Sequence, residues 1–265
     1  MGSKLLLGRY IPYDSFIHHL DARSKLFATI IYISFLFLAN NWLSYLLLLL
    51  FALLGVYLSK LPVSYFLKGI RPMLVLISFT AFLQILFTPG GQELFSLGFI
   101  TISEAGLSRG ILIFMRFVLI IVVSTLLTLT TEALEIADAI EFYLSPLKKL
   151  NFPVAETTMM LSISMRFVPT MLDEAEVIMN AQKSRGVSFD EGNIIDRIKS
   201  FIPILVPLFV NSYDRAPQLA TAMEARAYQG GENRTKYREL KWTFKDTGVI
   251  IVLISLFLLI LLTKS

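Results

Sequence analysis

An all-α polytopic membrane protein is the fold class this sequence predicts, and three observations predict it. Hydrophobic residues make up 55% of the 265 positions, above the roughly 45–50% of soluble domains, and the mean hydropathy is +0.67. Apolar runs recur along the chain at Leu26 to Ala39, Leu43 to Leu58, Met73 to Phe87, Ile111 to Leu129 and Gly248 to Leu262. Lys and Arg gather at the ends of these runs rather than along one face. The expected architecture is about five transmembrane helices plus a cytoplasmic helical coupling domain: a membrane domain over 1–130 with four helices, a cytoplasmic domain over 131–243 and a last helix over 244–265.

Each element follows from local signals. The opening stretch MGSKLLLGRYIPYDS carries three consecutive Leu before Arg9, too short for the core of a signal peptide, so no cleaved leader is expected. Leu26 to Leu58 as a single helix would be about 50 Å long at ~1.5 Å per residue, against a hydrocarbon core of about 30 Å. A turn is therefore expected at the ANNW of Ala39 to Trp42. Each run is near or below the ~20 residues of a perpendicular span and must borrow flanking residues; the competing reading makes two of them re-entrant or interfacial.

Orientation follows from charge. Lys4, Arg9, Arg23 and Lys25 precede the first run; Lys60, Lys68 and Arg71 fall in a short loop before the third; only Arg109 lies between the third and fourth; thirteen Lys and Arg lie between Thr131 and Thr243. By the positive-inside rule the protein is a multi-pass cell-membrane protein with a cytoplasmic N-terminus and an outer C-terminus. Lys60, Lys68, Arg71, Lys148 and Lys149 are expected to meet anionic lipid headgroups, and Trp242 to anchor the return at the interface.

The segment from Thr131 to Thr243 holds fifteen Asp and Glu beside its thirteen cations and reads as helical. Leu134, Ala137, Ile140, Tyr143 and Leu144 share a helical spacing, with Pro146 as a breaker. Glu156 to Arg185 contains no Gly, and Gly186 follows where a C-terminal cap belongs, so a long helix should end at Arg185. A third helical run, Ile194 to Tyr228, contains FIPILVPLFV, too short to span.

Two small-Arg-small elements repeat at an offset of 41: Ser184, Arg185 and Gly186, then Ala225, Arg226 and Ala227. Asp173 aligns with Asp214, Ala175 with Ala216 and Ala181 with Ala222; two unrelated Ala-rich helices are the competing reading. Small neighbours let another backbone approach an Arg that offers five donors, which suits a tip lodged in a socket.

With these residues in view, GRYIPYDSFIHHLDARSKL, MRFVPTMLDEAEVIMNAQKSRGVSFDEG and AMEARAYQGGENRTKYRELKW together resemble the transmembrane T component of energy-coupling factor (ECF) transporters. The resemblance implies a non-catalytic scaffold between two cytoplasmic ABC-type ATPases and a small membrane S component that binds a vitamin or trace nutrient. It implies that Arg185 and Arg226 tip two coupling helices, each in a groove of one ATPase, and that ATP and Mg belong to those partners. Met159, Met160, Ile163, Phe167, Pro203 and Pro207 would then move under the S component, although core packing explains the Met residues equally. Ala227 and Ala22 stand where the family pattern suggests glycine and proline.

Other chemistries are poorly served. No Cys is present, so there is no thiolate metal site; a net charge of +4 without a basic face speaks against nucleic acid. No GxxxxGK[ST] loop exists to cradle phosphates, and the GGENRTK of Gly230 to Lys236 has the wrong spacing. His18 and His19 are the only His residues; adjacent, they cannot supply a zinc site or a Ser/His/Asp set, and read as an interfacial segment. Arg116, inside the fourth run, is a functional candidate by position but is expected to snorkel to the outer surface. The alternatives are a conventional ABC permease subunit with its own substrate path and a polytopic lipid enzyme, the latter lacking a polar catalytic cluster.

Overall fold

The computed structural model describes residues 10–90, 93–97, 100–146, 153–189, 193–228 and 241–264. The expectations for Lys148, Lys149 and the GGENRTK stretch lie outside these residues. The chain divides into two units, Met1–Phe142 with Glu239–Ser265, and Tyr143–Arg238.

In the first unit the sequence builds α1 (Ala22–Leu38), α2 (Trp42–Ser59), α3 (Val63–Ile70), a 3-10 turn (Arg71–Met73), α4 (Leu74–Phe87), α5 (Glu104–Thr130), most of α6 (Ala133–Leu144), and α9 (Phe244–Lys264). Among the described residues four stretches are long and apolar enough to cross a membrane: Trp42–Ser59, Val63–Phe87, Glu104–Thr130 and Phe244–Thr263. Helix α1, at 17 residues, sits at the lower end of the spanning range of about 17–25. The protein is thus an all-α polytopic membrane protein. Among the described residues the departure from helix is a small antiparallel hairpin between α4 and α5, β1 (Glu93–Leu97) with β2 (Ile100–Ser103), in the register Phe95 to Ile102 and Leu97 to Ile100.

The turn expected at ANNW is present: α1 closes on Ala39 and α2 opens after Asn41. Here Asn41 Nδ2 donates to the Thr263 carbonyl at 2.6 Å, and Ser44 and Thr263 share a hydroxyl hydrogen bond of 2.8 Å, tying the start of α2 to the end of α9. Within the core, Tyr32 of α1 donates to the Leu48 carbonyl of α2 at 2.9 Å and Tyr45 of α2 returns a bond to Leu36 of α1 at 3.3 Å. Both rings are fully buried with Leu36, Leu48, Leu119 and Ile260, so their hydroxyls need these partners.

Helix α5 lies against α4 through Gly106 and Gly110. A Cβ on Gly106 would come within 2.7 Å of the Ile85 carbonyl oxygen, and one on Gly110 within 2.4 Å of Ile85 Cγ1. Small residues four apart let two membrane helices approach this closely. At the opposite end, Asp246 gathers α9 onto α1. Its buried carboxylate accepts from the Asp21 amide (2.8 Å), the Ser24 hydroxyl (2.6 Å), and the amide and hydroxyl of Thr243 (2.8 and 2.6 Å).

Three expectations are corrected. Lys68 and Arg71 do not lie in a loop: Lys68 is on α3 and Arg71 opens the 3-10 turn that runs straight into α4, because Pro72 occupies an early turn position where its missing N–H costs nothing. Arg109 lies within α5 rather than between spans. Arg116 lies deeper in its helix than the apolar run suggests. With Ser103 capping α5 through the Gly106 amide at 3.0 Å, the helix starts well before the apolar run, and Arg116 is twelve residues, about 18 Å, inside it. Its Nε donates to Tyr45 Oη at 2.8 Å and its Nη2 to the Ala39 carbonyl at 3.4 Å, with the guanidinium over Phe37.

His18 and His19 lie in the segment ahead of α1, and each has local partners. The Ser15 hydroxyl lies 2.6 Å from His18 Nδ1 and His18 Nε2 donates to the Ile11 carbonyl at 3.1 Å, while His19 pairs with Asp14 at 2.6 Å. No group of three His, Cys, Asp or Glu able to hold a metal occurs among the described residues.

Candidate functional site

The second unit is built on two 31-residue helices, α7 (Val154–Ser184) and α8 (Ile194–Glu224). Helix α7 ends where the sequence predicts. The Gly186 amide donates to the Lys183 carbonyl at 3.0 Å and the Val187 amide to the Gln182 carbonyl at 3.1 Å, with Gly186 at φ +87°. This is a Schellman cap with Arg185 at the C-cap position.

Helix α8 ends the same way. The Ala227 amide donates to the Glu224 carbonyl at 2.9 Å and the Tyr228 amide to the Met223 carbonyl at 3.1 Å, with Ala227 at φ +56°. Arg226 therefore holds the position of Arg185, and Ala227 that of Gly186. The offset of 41 in the sequence is an offset in geometry. Ser184, Arg185, Gly186, Ala225, Arg226 and Ala227 are all exposed, and neither Arg forms an ion pair among the described residues.

Contacts between the helices fix where these tips point. Phe189, just past α7, packs its ring 5.6 Å from Phe201 of α8. Further along α8, Ser212 donates to Met171 Sδ at 3.3 Å, Asn211 donates to Glu174, and Arg215 faces Glu174 at 3.0 Å. Numbers rise on α8 as they fall on α7, so the helices run in opposite senses. Met171 with Ser212 and Glu174 with Arg215 are each the same position of the repeat, so a local two-fold relation passes through the crossing. Arg185 lies fourteen residues beyond Met171 and Arg226 fourteen beyond Ser212, about 21 Å of helix in each case. The two tips leave the crossing on opposite sides.

The remaining candidate residues differ in exposure. Met160 is 68% exposed, whereas Met159, Ile163, Phe167, Pro203 and Pro207 are half-buried. The sequence reading missed a larger feature on α8. Ile194, Ile198, Ile202, Leu205, Phe209 and Tyr213 are each 50–78% exposed and recur every three to four residues over five turns. That periodicity was readable, but the prolines and the solid FIPILVPLFV run hid it.

Residues 14–237 match the CbiQ family, described as cobalt transport protein. The chain belongs to this family. It is 56% identical over 258 residues to the "Energy-coupling factor transporter transmembrane protein EcfT" of Lactococcus lactis subsp. cremoris, covering 97% of each chain. It is 56% identical over 262 residues to the protein of the same name from Streptococcus equi subsp. equi, covering 99% of this chain and 97% of that one. The Bacillus subtilis EcfT is 48% identical over 265 residues, covering 100% of both. The T component of an ECF transporter, a membrane transport subunit, is therefore what the matched-cap helices belong to.

Proposed function

We propose that this T component is the non-catalytic coupling scaffold of an importer for vitamins or trace nutrients. It sits in the cell membrane with its N-terminus inside and C-terminus outside, and two cytoplasmic ABC-type ATPases bind ATP and Mg. Arg185 and Arg226 each lodge in a groove of one ATPase; when the ATPases close, the tips move and α7 and α8 shift about their crossing. The exposed stripe of α8, with Met160 on α7, is the surface under a small membrane S component, where apolar side chains can repack on more than one partner.

The observation that carries this reading is the pair of equally capped, exposed Arg tips facing opposite ways from one crossing. One socket would need one tip. Two suit two related partner subunits, and the local two-fold relation matches a pair of similar ATPases. A conventional permease with its own substrate path has no specific observation in its favour.

Purification of the tagged chain from its native membrane in mild detergent, with mass spectrometry of what accompanies it, tests the proposal. Two P-loop ATPases and one or more small apolar membrane proteins are expected. The chain alone, or two copies with a single kind of ATPase, would contradict it.

A further inference from the structure

The membrane unit contains an apolar recess of about 560 Å³, within the roughly 300–1,000 Å³ of small-ligand sites. Four helices line it over matched lengths: Lys25 to Tyr32 on α1, Phe51 to Leu58 on α2, Val123 to Thr130 on α5 and Phe244 to Val252 on α9. These stretches of eight or nine residues span about 10–12 Å at ~1.5 Å per step. The recess is thus confined to one end of the bundle and reaches less than half of a hydrocarbon core of about 30 Å. One leaflet supplies its occupant.

Two features make the recess a site rather than a packing gap. The first is Gly248 on α9: it lines the space, and a Cβ there would meet no atom within 4 Å. The second is charge. Of the polar side chains in the wall, Tyr32 and Thr130 donate to the Leu48 and Leu126 carbonyls, but two lysines at the same end are not neutralised by contact. Lys25 is buried; its ammonium donates to the carbonyls of His18 (3.3 Å) and Thr130 (2.9 Å) and forms no ion pair among the described residues. Three carboxylates act on it from nearby without contacting it, Glu135 foremost, then Asp246 and Asp21; Asp246 and Asp21 are engaged by Ser24 and Thr243 and by Arg23. Lys245 is exposed at the mouth, its ammonium 5.7 Å from the Phe16 ring centroid, and it too lacks an ion pair among those residues.

An ammonium has three donors, and Lys25 uses two; Lys25 has no carboxylate in contact among the described residues, and Lys245 at the mouth has none either. An anion carrying a long apolar tail would satisfy both the cations and the cavity. The geometry points to a binding site for one anionic phospholipid, with an acyl chain in the recess between α1, α2, α5 and α9 and its phosphate between Lys25 and Lys245. The occupant is a lipid rather than a protein helix because the space is one leaflet deep and both lysines of its lining, Lys25 and Lys245, lie at the same end.

Native mass spectrometry of the full chain in detergent tests this site. Phosphatidylglycerol and phosphatidylcholine of identical acyl chains are offered at equal concentration, with glycerol phosphate in a separate arm. The wild type should retain one phosphatidylglycerol in clear preference to phosphatidylcholine. Lys245→Gln should cut that preference about five-fold, and Gly248→Leu, which fills open space, should lose both lipids while its lipid-free thermal midpoint stays at the wild-type value. Equal retention of the two lipids, unchanged lipid binding by Gly248→Leu, or glycerol phosphate held as firmly as the lipid would overturn the site. So would a dimer that Gly248→Leu dissociates, since the recess would then be an interface between copies.

Discussion

The carboxylate of Glu174 on α7 faces the guanidinium of Arg215 on α8 at 3.0 Å, and the two residues hold the same position of the 41-residue repeat. The contact lies off the ideal hydrogen-bond axis, since Glu174 Oε2 and Arg215 Nη1 have no hydrogen-bond partner, while Glu174 Oε1 accepts from Asn211. With both side chains partly exposed, a double-mutant cycle with Glu174→Gln and Arg215→Gln should give a coupling of about 0.5–1 kcal/mol. The exchange of both charges, Glu174→Arg with Arg215→Glu, should restore most of it. If the crossing transmits motion, the single variants should lower transport more than they lower ATPase attachment.

The two caps differ in one respect that has a measurable cost. Gly186 adopts its positive φ freely, whereas Ala227 at φ +56° bears roughly 1–2 kcal/mol of left-handed strain. Ala227→Gly recovers that strain but returns about 0.5–1 kcal/mol through the freer unfolded chain. The net should be a gain of up to about 1 kcal/mol, read as slower hydrogen exchange at the Ala227 and Tyr228 amides. Gly186→Ala should have the opposite effect at the Val187 amide.

Close approach of α4 and α5 makes Gly106 the more sensitive of the two glycines. Its added methyl would meet the backbone oxygens of Ile85 and Thr88 at 2.7 and 3.0 Å, which a side-chain rotation cannot relieve. Gly110 mainly meets the side chain of Ile85, at 2.4 and 3.0 Å, although the Ala81 carbonyl follows at 3.1 Å. Thermal unfolding in detergent should show Gly106→Ala destabilised by about 1–3 kcal/mol, with Gly110→Ala less affected and partly rescued by Ile85→Val.

Much of this was legible from the chain, for physical reasons that can be named. Apolar runs bounded by cations are unambiguous in a membrane context, so the spans and the Asn40 and Asn41 turn could be read directly. Gly186 is a stop signal that needs no tertiary information. The depth of Arg116 within its helix was misjudged because Ser103 and Glu104, the start of α5, sit in a polar stretch read as loop, which moved the apparent helix end seven residues towards it. The cap at Ala227 was hidden for a different reason: alanine rarely takes a positive φ, and only the hydrogen bonds of Ala227 and Tyr228 reveal it. The apolar face of α8 depends on which side chains remain uncovered, a property of packing rather than of composition.

The segment ahead of α1 should respond to pH. Burial holds the His18 imidazole below its ordinary value, helped by the nearby charges of Lys25 and His19 and opposed by its bond to Ile11. The folded state therefore binds this proton less readily than the unfolded one. Stability from His18 is complete above its ordinary value near 6.5 and is lost as pH falls through the window below it. Proteolysis near Tyr13 should accelerate as pH falls below about 6.5, with His18→Gln flattening the change.

The central claim is that each Arg tip engages its own ATPase, and the stoichiometry of the purified complex tests it most directly. Arg185→Glu and Arg226→Glu, expressed singly and together with both ATPases, should each remain in the membrane but lose a different ATPase, and the double variant should lose both. An interfacial Arg whose partner is left unpaired typically costs about 2–5 kcal/mol, enough for at least a 30-fold weaker association. Retention of both ATPases at wild-type ratio by the double variant would contradict the account.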